Sequence, residues 1–243
     1  MSYIKKFYPF MSVGAVWCML PMGTNAQTTV LIEDFDDSTL TYTTSSPERN
    51  DNNFDYWARI NDQVNAGDHI GDTNPTPISG DFVFGGNDIT ADGGVRPSTL
   101  SFTSLNISGL SGLELSFYVS GNTFSTGSNA GFTTGDVIFF EYQIDGGGFT
   151  TLIDIADTGS DGIANVGSSG PNVTTSLVQF TESIAGTGST LDLNLVWDVA
   201  GSSKGTFFDD IQVSGTVIPE PSALTLLILP LSVLFARRKY SVR

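Results

Sequence analysis

The chain has 243 residues, with 26 acidic against 10 basic side chains, a formal charge of −16, one cysteine and one histidine. A single cysteine excludes a disulfide framework and a thiolate metal cage, and the negative surplus excludes electrostatic capture of nucleic acid. All 26 acidic residues lie between Glu33 and Glu220, where only Arg49, Arg59, Arg96 and Lys204 are basic, so this stretch carries −22. Such a surface attracts divalent cations or basic partners, or simply keeps an exported protein soluble.

Residues 1–26 read as a secretory signal peptide. Lys5 and Lys6 supply the positive start, residues 7–20 are uncharged and mainly apolar, and Thr24-Asn25-Ala26 offers small residues at the positions a signal peptidase reads. The cut is expected before Gln27. Cys18 falls inside this leader, so the exported chain is expected to lack cysteine.

Residues 27–215 form one domain of short runs rich in Val, Ile, Phe, Leu and Thr, punctuated by Gly, Ser, Asn and Asp. That pattern favours strands, and helical periodicity is scarcely visible. Strands are expected at 29–35, 55–60, 81–85, 98–105, 113–120, 137–144, 149–154, 178–181, 190–199 and 206–214. In 137–144, Ile138, Phe140, Tyr142 and Ile144 share one face, while Val137, Phe139, Glu141 and Gln143 share the other. Asp145-Gly146-Gly147-Gly148 is a hairpin signal. About ten strands joined by short turns predict an all-β antiparallel sandwich of jelly-roll type.

The aromatic residues Phe102, Phe117, Phe139, Phe140, Trp197, Phe207 and Phe208 lie within strand patterns, where burial is the default and a sugar-stacking platform the sharper alternative. Tyr56 and Trp57 follow a polar run and are the candidates for contact with a glycan. The opening strand carries Glu33-Asp34-Phe35, and the closing one carries Phe207-Phe208-Asp209-Asp210-Ile211. If first and last strands pair, Glu33, Asp34, Asp209 and Asp210 converge on one structural Ca²⁺, an ion that takes six to eight oxygen ligands. The alternative is a set of water-exposed acids at strand ends. Asp157-Thr-Gly-Ser-Asp161-Gly162 echoes half of an EF-hand loop, but Gly159 and Ser168 stand where further ligands belong.

These opening and closing strands, with Asp81-Phe-Val-Phe-Gly-Gly-Asn-Asp88 and Phe140-Glu-Tyr-Gln-Ile-Asp145 between them, resemble secreted bacterial jelly-roll modules such as carbohydrate-binding modules and cleaved-adhesin domains. The resemblance implies a structural calcium near the terminal strands, with Glu33 and Asp210 as first ligands and Asp34 and Asp209 as second.

Catalytic signals are nearly absent. His69 reads as an exposed loop residue, and there is no nucleophile elbow, zincin helix or phosphate loop. Glu114 and Glu141 are the strand carboxylates to mutate first if the chain cleaves glycans.

The end of the sequence is a three-part address. Pro219-Glu220-Pro221 closes a linker at 216–221, an uncharged apolar segment occupies 222–236, and Arg237, Arg238 and Lys239 lead the basic tail 237–243. A helix over 222–236 would be about 22 Å long against a hydrocarbon core of about 30 Å, and Pro230 interrupts it. Basic residues beside such a span stay cytoplasmic, which leaves the domain outside. The tail resembles the PEP-CTERM sorting signal of bacterial envelope and exopolysaccharide-associated proteins; an ordinary single-pass anchor is the plainer alternative. The resemblance implies an exosortase-type enzyme acting at Pro219-Glu220-Pro221, with Arg237, Arg238 and Lys239 holding the tail in the inner membrane during sorting. The sequence thus predicts a non-enzymatic cell-surface or matrix protein, or a calcium-dependent carbohydrate-binding module engaging extracellular polysaccharide, with a polysaccharide-active glycoside hydrolase or lyase as the less favoured alternative.

Overall fold

The computed structural model describes residues 26–50, 56–61, 79–90, 94–121, 135–157, 164–167, 170–174, 176–199 and 205–219. Most of the leader, the apolar segment, the basic tail and His69 lie outside them. Among the described residues there are thirteen strands and no helix: β1 (Gln27–Glu33), β2 (Thr43–Thr44), β3 (Arg49–Asn50), β4 (Tyr56–Asn61), β5 (Phe82–Asn87), β6 (Ser98–Asn106), β7 (Leu110–Gly121), β8 (Val137–Ile144), β9 (Thr150–Asp157), β10 (Ala164–Val166), β11 (Val178–Ile184), β12 (Thr190–Asp198) and β13 (Thr206–Val217). Ten of these answer to the runs read from sequence. The other three, β2, β3 and β10, are two or three residues long, too short to carry a period-2 signal.

The strands make two antiparallel sheets. The first has the order β11-β7-β13-β5-β4-β3, with β1 also paired to β13, and the second has the order β10-β9-β8-β12-β6-β2. Strands β5, β6 and β7 alternate between the sheets, as do β11, β12 and β13, which is the jelly-roll way of folding one ribbon over itself. The chain's opening and closing strands lie together: Glu33 opposes Ile211 and Gln27 opposes Thr216.

Alternation along each strand sends one set of side chains between the sheets. Leu113, Leu115, Phe117 and Val119 of β7 meet Leu191, Leu193, Leu195 and Trp197 of β12 in a common core. Aromatic contacts cross it edge to face: Trp57–Trp197 at 5.0 Å and 85°, and Trp197–Phe208 at 4.9 Å and 76°. These are the favoured quadrupolar geometries. A smaller cluster of Tyr56, Ile60, Val83 and Phe207 lies on the outer face of the first sheet, with Leu177 against it.

The β8–β9 hairpin forms where the Asp-Gly signal places it. Asp145 and Gly146 have φ of 49° and 71°, and Gly147 N–H donates to the Ile144 carbonyl at 3.0 Å, as a type I′ turn requires. Asp145 secures the neighbouring connection, accepting from Ser189 N–H at 3.0 Å and Thr190 N–H at 2.8 Å. Those two N–H groups hold its carboxyl below the usual carboxylate range.

Candidate functional site

The predicted acidic group sits where β1 crosses β13. Glu33 is 4 % exposed and Asp209 0 %. In β13, Phe208, Ile211 and Val213 all face the core, which strict alternation forbids, and the ladder to β7 shifts register between Asp209 and Gln212. A bulge at Asp210, with φ of 45°, absorbs the extra residue and re-aims both aspartates.

These carboxylates are spent largely on backbone. Glu33 accepts from Phe35 N–H at 2.8 Å, Thr41 N–H at 3.3 Å and the Thr41 hydroxyl. Asp34 accepts from Asp36 N–H at 3.2 Å. Asp36, which the sequence reading passed over, accepts from Asp81 N–H at 2.7 Å and Phe82 N–H at 3.0 Å. Asp209 accepts from Asp210 N–H at 2.8 Å and Ser79 N–H at 3.4 Å. The acidic knot therefore ties the entry of β5 to β1 and β13. Gly80, at φ 58°, leaves the space that Asp36 fills; its clue in the sequence was the unbroken acidic run after Phe35.

Asp210 is the exception. Its carboxyl is pushed above the usual range, first by burial and then by the charges of Asp34 and Asp36. The structure thus brings Asp34, Asp36 and Asp210 into one electrostatic neighbourhood and gives Glu33 and Asp209 other partners. Among the described residues no three acidic, histidine or cysteine side chains are placed to hold a metal ion.

Tyr56 and Trp57 require a correction. They are 0 % and 1 % exposed, so neither ring offers a face to a sugar. Trp57 points between the sheets onto Phe84 and Trp197. Tyr56 points the other way and stacks on Phe207 at 5.9 Å. A polar run before a strand marks where the strand starts, but says nothing about what covers it.

The predicted strand aromatics are buried except Phe139, which is half-buried on the outer face of the second sheet. Register places a row across four strands there: Thr99 opposes Val196, Val196 opposes Phe139, and Phe139 opposes Asp154. In the next row, Ser101 opposes Asn194, and Asn194 opposes Glu141. Asn194 Nδ2–H donates to Glu141 Oε1 at 2.9 Å, and Gln143 Nε2–H donates to Asp192 Oδ2 at 2.8 Å. Two carboxylates are thereby fixed on the sheet face that carries the half-buried Phe139 ring, while Val196 beside it is buried.

Glu114 and Glu141 stand apart. Glu141 lies on this outer face, whereas Glu114 belongs to the outward-pointing set of β7 in the opposite sheet, opposed by Ser183 and Ser214. Two sheets packed about 10 Å apart, with the carboxylates directed away from each other, cannot place that pair across one glycosidic bond. Asp157 closes β9, and the rest of the half EF-hand loop lies outside the described residues. Pro219 is exposed just beyond β13; Glu220, Pro221, Arg237, Arg238 and Lys239 lie outside the described residues. No helix among the described residues is long and apolar enough to cross a membrane.

Comparison with known proteins finds no matching family model and no matching curated protein. Solved structures similar to this chain include the K2 cleaved adhesin domain of Lys-gingipain, at 16 % identity over 77 % of this chain and 97 % of that one, with a TM-score of 0.45. The CBM22-1 xylan-binding domain of Paenibacillus barcinonensis Xyn10C aligns at 11 % identity over 81 % and 99 %, with a TM-score of 0.44. A Stig cyclase from Fischerella sp. TAU aligns at 14 % identity over 80 % and 100 %, also at 0.44. Matches at this level carry no argument about activity, ligand or partner. What the chain's own strand order defines is an antiparallel β-sandwich of jelly-roll type.

Proposed function

We propose that this chain is an exported, non-enzymatic surface or matrix protein that engages extracellular polysaccharide through the outer face of its second sheet. The observation that supports this reading is the row around Phe139. The half-buried Phe139 ring is the apolar surface, packed beside the buried Val196, and the Asn194–Glu141 and Gln143–Asp192 pairs set acceptors and donors beside it. Sugars present that combination in reverse, with C–H faces for the ring and hydroxyls for the polar groups. The acidity of the exported stretch favours neutral or cationic polymers over anionic ones.

Delivery follows from the two ends of the sequence. The leader exports the chain, the tail holds it in the inner membrane, and an exosortase-type enzyme acts at Pro219-Glu220-Pro221. For the expected Ca²⁺, the reading narrows to a cation drawn towards Asp210 by the field of Asp34 and Asp36, while Glu33 and Asp209 serve the backbone.

The test is binding of the detergent-solubilised full chain to a panel of neutral, cationic and anionic polysaccharides, with calcium and with chelator. Saturable binding that Phe139→Ala or Asn194→Ala weakens at least tenfold, with unchanged melting temperature, is the expected result. A folded chain that binds none of the panel, or binding indifferent to both substitutions, overturns the assignment of this face.

A further inference from the structure

The domain delivers both of its ends to one place. Gln27 pairs with Thr216, the Ala26 carbonyl accepts from Val217 N–H at 3.1 Å, and the Gly109 carbonyl accepts from Ile218 N–H at 2.8 Å. The β6–β7 turn is therefore at this end. The β11–β12 connection is here too, since Ile107 N–H donates to the Ser189 carbonyl at 3.0 Å. So is the β8–β9 hairpin, since Leu191 opposes Ile144.

Of the seven exposed large apolar side chains among the described residues, three stand together at this end, while Ile32, Leu40, Val95 and Val178 are scattered elsewhere. Phe149, Val217 and Ile218 are 45 %, 40 % and 47 % exposed. Asp145 is the one acidic residue in the three turns and the outgoing chain as far as Pro219, and its carboxylate is engaged by Ser189 and Thr190. The acidic knot lies elsewhere on the sandwich, and Glu141 and Asp192 are on the outer face of the second sheet, Asp192 one register row in from this end.

Chain length decides what this end meets. Five residue steps separate Val217 from Ser222, where the apolar run begins. At no more than about 3.5 Å per residue they reach roughly 17 Å, less than the length of one strand of the sandwich. Resting on the tail being a membrane anchor, we propose that this end of the sandwich faces the bilayer, with Phe149, Val217 and Ile218 seated in the lipid–water interface. The domain then stands end-on, its strands along the membrane normal. Its acidic sheets are held off by anionic lipids, and the loops at the far end point outward. Because Ala26 lies beside Val217, the leader leaves from the same end, so anchoring by either segment gives one orientation.

The test uses the full chain with Cys18→Ser, reconstituted in phosphatidylcholine vesicles. An environment-sensitive fluorophore is attached through Phe149→Cys, through Val217→Cys, or through Val95→Cys at the far end, where Val95 is 57 % exposed. Quenching by spin-labelled lipid is then compared. At least threefold stronger quenching at positions 149 and 217 than at 95, with blue-shifted emission, is the expected result. Vesicle-bound protein with equal quenching at all three positions overturns the proposal. Failure of the chain to float with vesicles defeats the anchor reading instead, and the proposal with it. The two exposed-site variants guard against misfolding at either one.

Discussion

Removing the carboxylate of Glu33 separates two roles for the acidic knot. In Glu33→Ala, the Phe35 N–H that Glu33 binds at 2.8 Å is left in a buried setting, because Phe35 is 0 % exposed and Glu33 itself only 4 %. An orphaned buried donor costs about 1–3 kcal/mol, and a hydrogen bond to a charged group contributes about 1.5–3 kcal/mol. The Thr41 contacts add less, since Thr41 is exposed and water replaces its partner. A total near 3 kcal/mol is expected, and at about 2–4 °C per kcal/mol for a domain of this size the melting temperature falls by roughly 6–12 °C. The assay is thermal unfolding by circular dichroism, in calcium and in chelator. If Glu33 is a backbone anchor, the loss is the same in both. A loss confined to calcium-containing buffer, with wild type and variant melting together in chelator, refutes the reasoning and restores Glu33 as a metal ligand.

Asp210→Asn should act in the opposite direction. Because the folded carboxyl titrates above its ordinary value, its contribution is stabilising when protonated and is lost as pH rises through the folded value. The asparagine variant should therefore melt a few degrees higher than wild type at neutral pH, converge with it near pH 3, and lose any response to calcium; a lower melting temperature at pH 7 counts against this. Asparagine also tolerates the φ of 45° there. Gly86→Ala should cost about 1–3 kcal/mol by overpacking, because a Cβ would lie 3.1 Å from Trp197 Nε1 and 3.3 Å from Trp57 Cε3; an unchanged denaturant midpoint would show that the tryptophan pair yields. Tyr56→Phe should be neutral or mildly stabilising, since its hydroxyl is buried without a hydrogen-bond partner among the described residues. A clear loss in the same denaturant titration would reveal a partner for that oxygen.

The knot and the outer face differ in how far the sequence reached them. That the first and last strands meet was expected, and they do. The fate of their carboxylates was not legible, because it depends on one residue of phase. Phe208 and Ile211 are three apart yet share a face, so a bulge falls between them, and the bulge settles where Asp209 and Asp210 point. Phe139 shows the converse. Its side of β8 followed directly from alternation with Ile138 and Phe140. Its partner Asp154 lies across the predicted β8–β9 hairpin, but that its other neighbour would be Val196 needed the strand order, which joins segments more than 50 residues apart.

Tyr56 and Trp57 mark the limit most sharply. Adjacent in sequence, they enter opposite faces of one strand, and both faces are covered. By itself, the sequence determined the all-β class, the positions of the ten longer strands, the Asp-Gly turn and the contrast between an acidic middle and basic ends. All of these depend on local spacing and composition. The tertiary structure alone decided which acids bind backbone, which aromatics are covered, and that both chain ends leave together. Each of these depends on pairing between distant strands, and local periodicity carries no information about which strand will be the neighbour.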